Sequence, residues 1–138
     1  MPGCVLRASG ADFKVEQFLK ESALSPSAVF KKGERKYRSS RSRNRWPGCN
    51  IVVSEAGGDE IELQFKDAIA FVKKHKAEIN KLSDAFGAES ISLDFGVDLR
   101  VGYDESFWPQ VHIPKEIIRL AGALGIEIVI SFYPDIKI

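Results

Sequence analysis

Eight basic side chains crowd into fifteen residues of this chain: Lys31, Lys32, Arg35, Lys36, Arg38, Arg41, Arg43 and Arg45, with Glu34 the only acid among them. The segment therefore carries +7. The other residues hold twelve basic and eighteen acidic groups, or −6, so a net charge of +1 conceals an acidic body with one basic segment. Cations at this density suit a run of phosphates, and Tyr37 and Trp46 suit stacking on unpaired bases. The chemistry implied is weak nucleic-acid binding through Lys31–Trp46. A solvated loop that lies against its own acidic body is the plainer expectation, because no nucleic-acid motif of fixed spacing accompanies the charges.

The carboxylates offer less. Asp94 and Asp98 fall on one side of an alternating stretch, four residues and about 13 Å apart along an extended strand. That is too far to share a proton or one metal ion. Pairing of Asp94 with Arg7 or Arg100 across strands is the expected use. His75 and His112 are the only histidines, with no cysteine or histidine at metal-ligand spacing near either. Gly57-Gly58 precedes a helix, but Asp59 follows and would repel phosphate, so the pair reads as a turn. No catalytic residue, metal site or cofactor is implied by spacing, and an enzyme whose site assembles only in space is the least favoured of three readings. Tyr103, Phe107 and Trp108 lie together in a loop with Asp104 and Glu105. With Asp94, Asp98 and Arg100 they form the candidate surface for a protein partner.

These groups must be held by a sheet. From Ile91 to Val101 apolar and polar residues alternate without error, which predicts a long strand with one buried and one wet face. Cys4 to Ala8, Ala28 to Phe30 and Asn50 to Ser54 read as further strands. The last strand turns Ile126, Ile128, Ile130 and Phe132 inward and stops at Pro134. Asp12 is placed to cap a helix burying Val15, Phe18 and Leu19. Asp59 is placed to cap a second, whose stripe runs Ile61, Phe65, Ala68, Ile69, Val72, Ile79, Leu82 and Phe86. Unbroken, that helix would span about 40 Å, so a break is expected near His75, with Gly87 as the stop. Pro114 opens a final helix, which buries Ile117, Leu120, Ala121 and Leu124 and ends at Gly125.

The order β-α-β-β-α-β-α-β gives an α+β domain over residues 1–138. A ferredoxin-like, mostly antiparallel sheet is expected, with helices on one face and a basic flexible loop over 31–48. The uncovered face should show Arg7, Val52, Ser54, Asp94, Asp98, Arg100, Glu127 and Ser131. A chain of 138 residues with 44% apolar content is one domain with a core of its own. It has no apolar run of membrane-span length, and its start lacks the features of a signal peptide. Cys4 and Cys49 read as reduced, buried thiols. The expectation is a cytoplasmic, non-catalytic interaction protein that meets a protein partner or a second copy of itself, and no membrane.

Several phrases carry a resemblance: Val29-Phe30-Lys31-Lys32-Gly33-Glu34, Cys49-Asn50-Ile51-Val52-Val53-Ser54, Leu93-Asp94-Phe95-Gly96, Leu120-Ala121-Gly122-Ala123-Leu124-Gly125-Ile126 and Ser131-Phe132-Tyr133-Pro134. In this order they resemble a family of small bacterial proteins of unknown function. The shared phrases are strand ends, helix stops and turns. The resemblance implies no catalytic residues, and through related small α+β proteins it implies an immunity-type role that masks a toxin. The Arg-Ser run from Arg38 to Arg45 is not part of the shared pattern.

Overall fold

The structure, a computed structural model, describes residues 3–34, 45–98 and 110–133. Its elements are β1 (Cys4–Ser9), α1 (Val15–Glu21), β2 (Ala28–Phe30), β3 (Gly48–Ser54), α2 (Ile61–Lys74), α3 (Lys76–Asp84), β4 (Ser90–Asp98), α4 (Lys115–Leu124) and β5 (Glu127–Tyr133). The class is α+β. Five strands form one sheet in the order β2-β3-β1-β4-β5. The β2–β3, β3–β1 and β1–β4 pairs are antiparallel, and β4–β5 is parallel. The sheet is therefore mixed, whereas a ferredoxin-like sheet has no parallel neighbours.

Alternation decides which side is roofed. Cys4, Leu6 and Ala8 of β1 and Ile91, Leu93 and Phe95 of β4 are buried. They meet Phe65, Ala68 and Val72 of α2, Ile79 and Leu82 of α3, and Ile117 and Ala121 of α4 in one core. Burial of each larger side chain contributes about 1.5–3 kcal/mol. The long helical stripe breaks at His75, as its length requires, leaving α2 and α3 as separate rods. Lys73 at the end of α2 pairs with Glu116 in the first turn of α4. Each charge there complements its own helix dipole. Ser22, just past α1, donates to Glu78 of α3 at 2.9 Å. This bond, with help from Lys81, holds the Glu78 carboxyl below its usual range.

Four expectations are corrected. Neither Asp12 nor Asp59 caps a helix: α1 begins after Lys14 and α2 after Glu60, neither with a side-chain cap bond. Lys14 N–H instead donates to the Phe86 carbonyl at 2.7 Å, so a tertiary contact fixes the start of α1. Leu19 is exposed, and Phe13 takes the core position beside Phe18. Ser54 is buried on the helix side. The register pairs Cys4 with Ser54 and Val5 with Val52, so Val53 is an extra residue that flips the strand's phase. Phe132 points to the helix side of an edge strand, where it remains 51% exposed.

Two glycines of α4 make the backbone argument testable. Gly125 ends the helix at φ 69°, and Ile126 N–H returns to the Ala121 carbonyl at 2.8 Å. Gly122 lies within the helix, and an added Cβ would meet nothing within 4 Å at either position. The same change should therefore act with opposite signs in urea unfolding. Gly125→Ala should cost roughly 1 kcal/mol for a left-handed residue with a Cβ. Gly122→Ala should stabilise by about 0.5–1 kcal/mol.

Candidate interaction surface

The unroofed side of the sheet is built by the residues between the core positions. Across four strands Val52, Val5, Asp94 and Val129 lie side by side, and in the next row Asn50, Arg7, Ser92 and Glu127 do so. Val52 and Val129 are exposed. Between them Asp94 is tied from both sides. Arg7 of β1 donates to its Oδ2 at 3.0 Å, and Ser131 of β5 donates to its Oδ1 at 2.6 Å. Only 13% of the Asp94 side chain is accessible, against 49% for Arg7. The carboxylate thus bridges three strands, and its charge is answered on the face itself. Its field still reaches through the sheet. Burial first, and Asp94 second, push the Cys4 thiol far up, and burial alone pushes Cys49 up to about 11. Both cysteines are free and buried, and thiols held neutral in this way are inert.

At one end of this face lies an open groove of about 370 Å³, lined by Arg7, Ser9, Phe30, Arg45, Trp46 and Asn50 among others. It runs beside the β2–β3 edge. At the opposite edge β5 exposes Val129, Phe132 and Tyr133. A second hollow of about 360 Å³, at the start of α2, is lined by Asp59, Glu60 and Glu62 with Ile61 and Leu63. Among the described residues no three potential metal ligands form a group that could hold an ion. His112 meets Gln110 at 3.1 Å, and the His75 ring packs at a tilt against Phe71. Among the described residues no helix is long and apolar enough to cross a membrane.

Of the sequence-derived partner residues, Asp94 and Asp98 share β4. The backbone N–H of Asp98 donates to the Gly58 carbonyl at 2.9 Å, which fastens the turn before α2 to the strand end. Arg100, Tyr103, Phe107 and Trp108 lie outside the described residues, as do Arg35, Lys36, Tyr37, Arg38, Arg41 and Arg43 of the basic segment. Its described ends, Lys31, Lys32, Arg45 and Trp46, are all exposed. Lys31 pairs with Glu16 of α1 at 3.2 Å.

Gln64 escapes sequence reasoning altogether. It is fully buried, and its Nε2 donates to the carbonyls of Gly57 and Gly96 at 2.9 and 2.8 Å. It locks the turn before α2 to β4. A lone glutamine one residue from Phe65 on a helical stripe gives no advance signal of this.

Residues 2–135 match the family described as Domain of unknown function (DUF4279). No curated protein and no solved structure is matched by the chain.

The bridging arrangement predicts unequal losses. In urea unfolding Asp94→Ala should cost about 1–2 kcal/mol, because it leaves both Arg7 and Ser131 without their acceptor. Arg7→Ala removes one half-exposed partner and should cost at most about 1 kcal/mol. Equal losses would mean that the Ser131 bond contributes nothing.

Proposed function

The chain belongs to the DUF4279 family, and from that premise we propose that it is a non-catalytic interaction protein that assembles with a second copy of itself through β5. We read its core as a split βαβ of ferredoxin-like kind, to which α4 and β5 add one parallel strand. The observation that carries the proposal is the edge this extension presents among the described residues. Among the described residues β5 pairs with β4 alone. After Glu127 it continues Ile-Val-Ile-Ser-Phe-Tyr, with neither charge nor proline. Edge strands of this length are ordinarily blunted by lysine, proline or a bulge, because their free N–H and C=O groups template another strand.

The side chains support the same reading. Ile128 and Ile130 are only half-covered by the helices, and Phe132, on the same side, is 51% exposed. A second β5 laid antiparallel across a two-fold axis would satisfy both backbones and bring each Phe132 toward the partner's half-covered isoleucines. That is the self-complementary arrangement a symmetric dimer needs. The two open faces would then run on as one surface. The free thiols of Cys4 and Cys49 are consistent with a reducing, cytoplasmic setting.

Sedimentation equilibrium across a wide concentration range should show a reversible monomer–dimer exchange. Phe132→Lys sets a solvated charge on an exposed position and should leave folding intact while removing the dimer. Val52→Lys, on the open face away from β5, should leave the dimer in place. A wild-type chain that stays monomeric at every concentration, or a dimer that survives Phe132→Lys, would overturn the proposal.

A further inference from the structure

The groove beside the β2–β3 edge gathers features that self-association leaves unused. Arg7 reaches it from β1. A guanidinium carries five N–H donors, and among the described residues Arg7 commits only Nη2, to Asp94. Arg45 lines the same groove and makes no ion pair among the described residues. Trp46 stands beside it, 40% exposed as a residue. Pro47 follows Trp46, and its carbonyl accepts from Gly10 N–H at 3.3 Å, which ties this end of the loop to the end of β1. Asn50, directly opposite Arg7 in the register, adds a half-buried amide.

A guanidinium with donors left beyond its Asp94 bond, a second guanidinium with no ion pair among the described residues, an exposed indole and an amide in one concave site are complementary to a ligand that joins an anion to a flat ring. A volume of about 370 Å³ falls in the small-ligand range of roughly 300–1,000 Å³. The groove is open rather than enclosed, so a ligand could continue beyond it as a chain. We propose that this groove binds one nucleotide unit of a short single-stranded nucleic acid, its phosphate between Arg7 and Arg45 and its base against Trp46.

Charge supports a short strand over a long one. Arg45, the last residue of the +7 segment that starts at Lys31, lines this groove, while the rest of the chain carries −6. Local attraction thus gives way to repulsion within a few Debye lengths. Asp94, the carboxylate nearest Arg7 on this face, is already answered by Arg7 and Ser131. Stacking on an exposed aromatic suits unpaired bases, because every base offers a π-face once it is free of a duplex. The proposal goes beyond self-association and does not depend on it, since β5 lies at the opposite edge of the sheet.

Fluorescence anisotropy of short labelled oligodeoxythymidylate and oligouridylate with the full chain tests it. Affinity should fall steeply and log-linearly with salt. Arg45→Gln should lower that slope by about one unit. Trp46→Ala should weaken binding about tenfold, the size of one base–aromatic stack, with the slope unchanged. Trp46→Phe should restore most of it, a rescue that a merely unfolded Trp46→Ala variant would not predict. Phe132→Lys should bind as wild type whether or not the chain dimerises. The proposal is overturned by absence of binding at low salt, by binding indifferent to both Arg45→Gln and Trp46→Ala, or by loss of binding in Phe132→Lys. Equal competition by polyglutamate would overturn it too, since that would reduce the interaction to bulk charge.

Discussion

A sheet roofed on one side must keep its other side acceptable to water without losing order, and the Asp94 carboxylate does this here. It accepts from Arg7 at 3.0 Å and from Ser131 at 2.6 Å. One side chain thereby joins the second outermost strand, β4, to β1 on one flank and to β5 on the other. The Ser131 bond matters most, because β5 has no further neighbour among the described residues. Removal of the carboxylate frees the edge strand's only side-chain link across the open face among the described residues. The charge is placed where its partners are, so the valines around it stay exposed without an unpaired acid among them.

The order of strands then separates two different surfaces. At the β2–β3 edge Arg45, the last cation of the basic segment, and Trp46 line one groove with Arg7. At the β5 edge Val129, Phe132 and Tyr133 are exposed, and among the described residues the strand pairs on one side only. A cationic groove and an apolar edge placed together would interfere, since burying the edge would strip water from the charges. The two lie toward opposite edges of the sheet, with β4 between β5 and β1, the strand that gives Arg7 to the groove. The helices are tied to one another and to the sheet. The pair between Lys73 and Glu116 couples α2 to α4, and Gln64 couples the turn before α2 to β4.

Much of this was legible in the chain wherever a local rule had no tertiary competitor. The alternation from Ile91 marks β4 because Ile91, Leu93 and Phe95 pack into the core with the helices. The break at His75 follows from length, and Gly87 and Gly125 both adopt the positive φ that a helix stop demands. Most of the failures trace to contacts distant along the sequence; Asp59 is the exception, since Glu60 N–H bonds to the Gly57 carbonyl three residues back. Asp12 and Asp59 look like caps, yet the helices start where Phe86 and Gly57 accept backbone bonds. Ser54 was misplaced because one bulged residue, Val53, reverses every later side chain of β3. Phe132 fits the inward period of β5, but period does not reveal that the strand lies at an edge. The role of Gln64 depends on two carbonyls that only the fold brings together.

The central claim is that one side of this sheet is open and the other closed, and hydroxyl-radical footprinting read residue by residue measures that most directly. In dilute solution Val52, Val129 and Trp46 should be oxidised readily, while Leu93, Phe95 and Ile117 stay protected until the chain unfolds. As concentration rises, protection should spread to Phe132 and Tyr133 and leave Trp46 reactive. Protection of Val52 and Val129 in the dilute monomer, to the level of Leu93, would mean that this face is covered and would contradict the account.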